Sequence, residues 1–294
     1  MSDFALDGAQ LRRRVQRHAA HARAGNFLAR ESASRMAERL DLLRNQPQRI
    51  LDLGCGTGED LALLAARYPD AQCIGIDFAP AVLAQARPAR GFADRLLRRA
   101  RGPALLCADA AALPLARSSV QMLWSNLLLP AFSDPLPAFR EMHRVLAVEG
   151  VLMFATLGPD TLRELRAAMP TAAGERVHRF IDMHDLGDTL VAAGFTEPVM
   201  DMERLTLTYT QLDDLLRDLR QAAATNVATT RPRGLAGKTG WQQARAAYER
   251  LRQDGRLPAT IELVFGHAWK AAPKTTEDGR AVIRFERERR PLRG

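Results

Sequence analysis

Residues 50–58 read Ile-Leu-Asp-Leu-Gly-Cys-Gly-Thr-Gly, and a helical stretch, 59–67, follows without a break. An apolar run ending in Asp52, three alternating glycines and then a helix describe a strand, a tight turn and a helix in that order. Gly54, Gly56 and Gly58 let the backbone bend and approach a ligand that a Cβ would exclude. The first turn of the helix leaves N–H groups without intrahelical partners, facing whatever sits over the turn. The spacing also says what that ligand is not. A dinucleotide fingerprint reads G-x-G-x-x-G, and the third glycine position here is Glu59. Asp52 and Glu59 make a poor setting for a pyrophosphate and a good one for an ammonium or sulfonium cation.

Outward from the turn the chain alternates. Apolar runs at 49–53, 73–77, 104–108, 120–125 and 150–156 read as strands, and 60–67, 80–86 and 136–146 read as helices. This alternation predicts an α/β fold built on a Rossmann-like, doubly wound parallel sheet. Such sheets bind ligands at the carboxyl ends of their strands, near the point where the strand order reverses. Polar residues stand at those ends. Asp77 closes the second run, 19 residues after Gly58. A carboxylate there can accept both hydroxyls of a ribose, and it can also cap the helix that opens at Pro80. Asp109 follows the third run, placed for an adenine amino group or for a turn. Ser125 and Asn126 close the fourth run, where they can bond backbone or substrate; Trp124 before them reads as core.

The later chain changes character. Residues 160–169 and 185–193 read as helices, the second ending at Gly194. Residues 199–209 read as a strand, 211–224 and 241–253 as helices, 225–240 as a loop and 260–269 as a last strand. Helices set between late strands predict an insertion lying as a lid over the strand ends. Residues 9–44 read as one or two arginine-rich helices. The division expected is an N-terminal helical cap (1–46), a Rossmann-like core (47–158), late strands with a helical lid insertion (159–270) and a basic tail (271–294).

Composition narrows the function classes. The chain has 294 residues, is 47% hydrophobic and carries a net charge of +8 with a sequence pI near 10.2. A basic surface favours an acidic partner. From Lys270 onward there are eight Lys/Arg and four Asp/Glu, with Pro273 and Pro291 and few apolar residues, which reads as a disordered tail. There is no apolar run of about 18 residues and no signal-peptide pattern, so a cytoplasmic protein without a membrane span is expected. Cys55, Cys73 and Cys107 stand singly beside apolar runs and read as reduced core residues. The six histidines show no metal-ligand spacing, so no metal site is expected. There is no G-x-S-x-G elbow, and Gly234-Leu235-Ala236-Gly237-Lys238-Thr239 lacks the spacing of a phosphate-binding loop.

The Asp-x-Gly-x-Gly-x-Gly turn resembles the first motif of the class I S-adenosylmethionine (SAM) methyltransferases. Together with Asp109, Leu113-Pro114, Trp124-Ser125-Asn126-Leu127, 157–165, 215–220 and 266–270 it is similar to the malonyl-carrier-protein O-methyltransferases of biotin synthesis. The resemblance implies a SAM site at Asp52, Gly54, Cys55, Gly56, Gly58, Asp77, Phe78, Asp109, Ala110, Ser125 and Asn126. It implies methyl transfer to the free carboxylate of a malonyl thioester on acyl-carrier protein, an acidic partner suited to a basic surface. Arg217 and Arg220 of the insertion are candidates to pair with that carboxylate. No catalytic acid or base is assigned.

The chain departs from that family's pattern at several places. An aromatic residue and a Tyr-Asp pair are replaced by Val15, Ala22 and Arg23. The tryptophan expected after Ser125-Asn126 is missing, with Leu129-Pro130-Ala131-Phe132 in that region. An Ile-Gly-Ala is replaced by Ala222-Ala223-Ala224. Pieces such as Asp160-Thr161-Leu162, Asp185-Leu186-Gly187 and Pro258-Ala259-Thr260 also resemble complex I assembly factors that hydroxylate an arginine of a partner subunit. A SAM-binding scaffold without catalysis is a third reading. A nucleic-acid methyltransferase is disfavoured, because no Asn/Asp-Pro-Pro-aromatic motif is present.

Overall fold

The computed structural model describes residues 5–23, 25–43, 45–86, 102–169, 174–232, 234 and 237–272. Five strands, β1 (Arg49–Leu53), β2 (Gln72–Asp77), β3 (Ala104–Cys107), β4 (Val120–Asn126) and β5 (Leu146–Leu157), run parallel in the spatial order β3-β2-β1-β4-β5. β7 (Leu257–Trp269) pairs antiparallel with β5, and β6 (Thr196–Tyr209) antiparallel with β7. The chain leaves β1 toward β2 and β3, then returns to lay β4 on the other side of β1. The order reverses there, which opens a crevice at the carboxyl ends of β1 and β4.

Helices cover both faces of the sheet, which is why the central strands are apolar on both sides. α1 (Gly8–His18), α2 (Phe27–Arg39), α3 (Glu59–Arg67) and α4 (Pro80–Ala86) come first in the chain. α3 forms because Leu61 and Leu64 fall on one buried face, with Glu59 and Asp60 at its positive end and Arg67 at its negative end. α2 brings Met36 to the same core. On the opposite face α5 (Leu136–Val145) buries Phe139 and Met142. α7 (Met183–Ala192), which follows the short α6 (Arg163–Ala168), adds Leu186 and Leu190 there. Asp182 caps α7 by accepting from His184 N–H at 2.8 Å, and Gly194 ends it with φ 101°.

The β6–β7 pair reaches past the sheet. β5 ends at Leu157, opposite Leu263 of β7. The pairing of β6 with β7 continues beyond that point, from Arg204 opposite Glu262 to Tyr209 opposite Leu257. At strand rise this overhang is about 20 Å. It carries the insertion, α8 (Leu212–Gln221) and α9 (Gly237–Glu249), out over the carboxyl edge of the sheet. Two carboxylates, buried Glu262 and part-buried Glu164, brace its root. Glu262 Oε2 accepts from Asp160 N–H (2.7 Å), and Glu164 Oε2 accepts from Thr260 N–H (2.9 Å).

The N-terminal segment meets the insertion over the same edge. Asp7 N–H donates to Val227 O (2.9 Å), and Thr229 N–H to Ala5 O (2.8 Å). Arg14 donates to Asn226 O (2.8 Å), and Arg231 pairs with Asp7 (3.2 Å). A Cβ at Gly25 would lie 2.9 Å from the carbonyl carbon of Gln221, so the turn between α1 and α2 packs directly on the end of α8.

Some expectations change. Cys107 is exposed, because β3 is the edge strand of the sheet; Cys55 and Cys73 are buried. α9 begins at Gly237, inside the segment read as a loop, because Ala244 and Tyr248 are buried one turn apart and hold the helix down. β5 begins at Leu146, directly after α5, rather than at Gly150. The reading of a basic tail falls almost wholly outside the described residues. Among the described residues no helix is long and apolar enough to cross a membrane.

Gly266 of β7 offers a test of this packing. A Cβ there would collide with the buried Phe154 ring and lie 2.7 Å from Met200 Sδ. Gly266→Ala is expected to cost about 1–3 kcal/mol of stability. The thermal midpoint should then fall by roughly 3–10 °C; an unchanged midpoint in calorimetry would contradict the close approach of β7 to β5.

Candidate active site

The glycine turn folds as its residues require. Gly54, Gly56 and Gly58 hold φ of 80°, 51° and 79°, a left-handed run that other residues rarely adopt. The N–H groups of Gly54 and Cys55 donate to Ile76 O at 2.7 and 3.1 Å, which hangs the turn on the end of β2. A Cβ at Gly58 would press on Ala86 Cβ at 3.0 Å, so the turn also seats against α4. Asp77 pins the turn from the side. Its Oδ2 accepts from Gly56 N–H (3.1 Å) and its Oδ1 from Ala79 N–H (2.8 Å). It therefore does the local capping and holds the glycine loop at the same time.

Two cavities meet at this turn. The larger, about 360 Å³, is lined by Gly54, Cys55, Gly56, Asp77, Phe78 and Asn126 of the core. Thr57, Glu59 and Asp60 join them at the start of α3. The smaller, about 250 Å³, is lined by Asp109, Ala110 and Phe132 and shares Gly54, Asp77 and Phe78 with the first. Asp77 thus stands where the two join. Besides Asp77, the smaller cavity is lined by exposed Asp109, whose Oδ1 accepts from Ala111 N–H at 2.9 Å, and by Arg12. Its other walls are largely apolar, a chemistry suited to a heteroaromatic ring with an amino group.

The larger cavity is acidic. Asp60 Oδ2 accepts from Trp124 Nε1 (2.8 Å) and from Asn126 Nδ2 (3.0 Å). Burial raises its pKa, those two donors pull it back in part, and Glu59 pushes it up again. Burial also raises Asp77, against the pull of the N–H groups of Ala79, Gly56 and Phe78. Asp52 lies beneath the turn, 1% exposed, with Oδ2 lacking any partner. Burial, then Asp60, then Asp77, hold its carboxyl well above the usual range. A cluster of raised carboxylates favours a cationic ligand, which would lower all of them together. Among the described residues, no group of three or more His, Cys, Asp or Glu side chains is placed to hold a metal ion.

The residues singled out in the sequence do not all reach the cavities. Asp52, Gly58 and Ser125 line neither. Ser125 is fully buried with Oγ unpartnered. Gly58 serves packing, and Asp52 acts from below through its charge. Arg217 is 60% exposed and paired with Asp214 at 3.0 Å on α8. It lines none of these cavities, because its turn of the helix faces solvent. Arg220 lines a separate cavity described below.

Other wall residues carried no signal. Asn26 lines the large cavity and donates to Glu59 Oε2 at 3.1 Å. His178 and Phe180 come to it from the segment before α7, and residues 221–225 from the end of α8. The positions where the chain departs from its resembling family cluster on these walls: Val15, Ala22, Pro130 and Ala131 all line the large cavity. Ala223, at the glycine of that pattern, holds φ 54° and also lines it, which explains why glycine suits the position. Leu127, directly after Asn126, holds φ 54° as well, a local strain of about 1–3 kcal/mol at the cavity wall.

The electrostatics predict a pH effect. The folded chain holds the Asp52 proton more tightly than the unfolded chain does. Its cost to stability is therefore absent below the ordinary aspartate value of 3.8 and grows as pH rises toward its raised folded value. Asp52→Asn is expected to raise the thermal midpoint of ligand-free protein at about pH 7 and to change it little near about pH 4. Thermal denaturation across that range checks this; equal midpoints at neutral pH would contradict a buried carboxylate without a partner.

Comparison with known proteins places the chain. Residues 51–154 match the family model described as a methyltransferase domain. A malonyl-acyl-carrier protein O-methyltransferase of Laribacter hongkongensis is 50% identical over 287 residues, covering 96% of this chain and 97% of that protein. One of Gallionella capsiferriformans is 47% identical, covering 97% and 98%. Among solved structures, the YcgJ protein of Bacillus subtilis superposes with a TM-score of 0.55 at 16% identity, over 81% of this chain and 98% of that one. A SAM-dependent methyltransferase of Thermotoga maritima superposes with a TM-score of 0.51 at 17% identity, over 88% and 99%. These structures share the fold, and the sequence relatives decide the family: the chain belongs to the malonyl-acyl-carrier protein O-methyltransferases.

Proposed function

We propose that this chain transfers a methyl group from SAM to the free carboxylate of a malonyl thioester carried by acyl-carrier protein, the methylation step of biotin synthesis. The observation that carries the reading is the acidic cavity around the glycine turn, in a chain half identical to a malonyl-acyl-carrier protein O-methyltransferase over nearly its full length. The residues present fit SAM. Glu59, Asp60 and Asp77, with Asp52 beneath, supply negative charge for a ligand bearing an ammonium and a sulfonium. Asp77, at the junction of the two cavities, takes the ribose hydroxyls. Asp109, Ala110 and Phe78 take the adenine.

Bound SAM supplies an electrophilic methyl group on a sulfonium, and a carboxylate oxygen that takes it becomes a methyl ester. A carboxylic acid acceptor is already ionised at neutral pH, so the chain needs to supply no strong base. Its work is placement and exclusion of water. Asp60 fixes Trp124 and Asn126, and Asn126 in turn reaches Ala29 O of α2 at 2.8 Å. The far end of the cavity is thereby held between β4, α2 and α3. The N-terminal cap and the end of α8 cover it. The acidic carrier suits the net charge of +8.

Titration of SAM into the protein by calorimetry should give stoichiometric binding. Asp77→Ala should weaken that binding by at least about 100-fold, through loss of both its ligand contact and its hold on Gly56. Mass spectrometry of malonyl-acyl-carrier protein after incubation with SAM should show the methyl ester, and expression should rescue a strain that requires biotin. Binding of SAM without ester formation or rescue would remove the acceptor assignment, and hydroxylation of a partner arginine would put the assembly-factor reading in its place.

A further inference from the structure

A third cavity, about 220 Å³, lies under the insertion and borders the cofactor cavity. The two share His178, Phe180, Ala224 and Thr225 as walls. His178 borders both, with its ring set edge-on against Phe180 at 5.0 Å. The walls farther out are apolar: Leu165 of α6, Val177, Leu216 and Leu219 of α8, and Trp241 of α9. Two guanidinium groups stand among them, Arg176 and Arg220. Arg220 is exposed on α8. Arg176 is half-buried, and its Nε is buried without an acceptor. A half-buried guanidinium in a largely apolar wall is stabilised by a counter-anion, and the cavity beside Arg176 has room for one.

The cofactor turn does not touch this cavity. It reaches the shared wall from the insertion side, whereas Gly54–Asp60 and Asp77 reach the cofactor cavity from the core side. A largely apolar cavity with two arginines in its walls, bordering the cofactor cavity on the insertion side, fits an acceptor delivered on a long thin arm that bears an anion.

We propose that this cavity is the acceptor's channel. It takes an acyl-pantetheine arm between α6, α8 and α9, with Arg176 and Arg220 holding an anionic group of that arm and His178 marking the junction with the cofactor site. The inference rests on the proposed carrier-bound acceptor. It adds where the acceptor enters and which residues receive it. Two anions on such an arm share the required chemistry, the phosphate at its carrier end and the carboxylate of the acyl group. Arg217, on the solvent side of α8, takes no part.

Three soluble probes separate the possibilities: malonyl-phosphopantetheine, malonyl-pantetheine and acetyl-phosphopantetheine. Binding of each is measured by calorimetry to the full-length wild type, Arg176→Met, Arg220→Met and Leu219→Trp, the last of which fills the channel. SAM affinity and the thermal midpoint are measured in parallel. Wild type should bind malonyl-phosphopantetheine. Each arginine variant should bind it at least about tenfold more weakly, the loss of one charged hydrogen bond, and Leu219→Trp should lose it altogether. SAM affinity should stay within about twofold. A penalty that vanishes with malonyl-pantetheine identifies the phosphate as the anion held; one that vanishes with acetyl-phosphopantetheine identifies the carboxylate. The proposal is overturned if wild type binds none of the probes, if all variants bind them as wild type does, or if SAM affinity falls in step with probe affinity. The binding readout needs no turnover, so a failure of methyl transfer to malonyl-acyl-carrier protein would show separately, in the ester assay.

Discussion

The cleft depends on one part-buried carboxylate, Asp60. It sits in the first turn of α3, directly after the glycine turn, and accepts hydrogen bonds from Trp124 and Asn126 at the end of β4. β1 and β4 are the neighbours between which the strand order reverses. Asp60 therefore ties the turn after one wall of the crevice to the end of the other. Asn126 passes the tie on to α2 through Ala29 O. A charge held away from water is costly unless it is fully partnered, so this geometry is enforced: releasing either donor leaves Asp60 worse off. The same charge adds to the negative field of Asp52, Asp77 and Glu59, so a structural tie and an affinity for cations have one origin.

What covers the crevice is built from remote parts of the chain. β6 and β7 run on past the last residue of β5, and only this overhang places α8 and α9 above the carboxyl edge. The N-terminal segment then pairs with residues 226–229 at the end of the insertion's first half. The cap and the insertion close over the larger cavity as one cover, although more than 200 positions separate Asp7 from Val227. A cover made this way can differ between relatives without disturbing the core. The departures at Val15, Ala22 and Ala223 are all in it, and none is in the glycine turn.

The legibility of the sequence follows the range of the forces involved. β1, α3, β2 and α4 were readable to within a residue, because apolar periodicity and the glycine turn are local. The end of α7 was readable from Gly194, whose positive φ is a local demand. The start of α9 was not, because Gly237 to Gly240 carry turn residues and the helix is held by tertiary burial of Ala244 and Tyr248. Cys107 was misread as core because an edge strand and a central strand look alike in sequence; only the strand order tells them apart. Arg217 and Arg220 were equivalent candidates three positions apart. The packing of α8 turned the first to solvent and the second to a cavity. His178 and Arg176 gave no signal, since nothing local distinguishes them from any other polar residue in a loop.

The sequence by itself determined the core half of this protein: the doubly wound sheet, the left-handed glycine turn and the acidic residues at the strand ends. These are set by steric and hydrophobic rules that act over a few residues, so they survive reading in one dimension. The tertiary structure alone decided which side chains face the cavities, how the cover closes, and that a third cavity, with Arg176 and Arg220 in its walls, borders the larger one. Those outcomes depend on strand order, on the overhang of β6 and β7, and on which face of each helix finds apolar surface to bury. All three are properties of contacts between residues far apart in the chain.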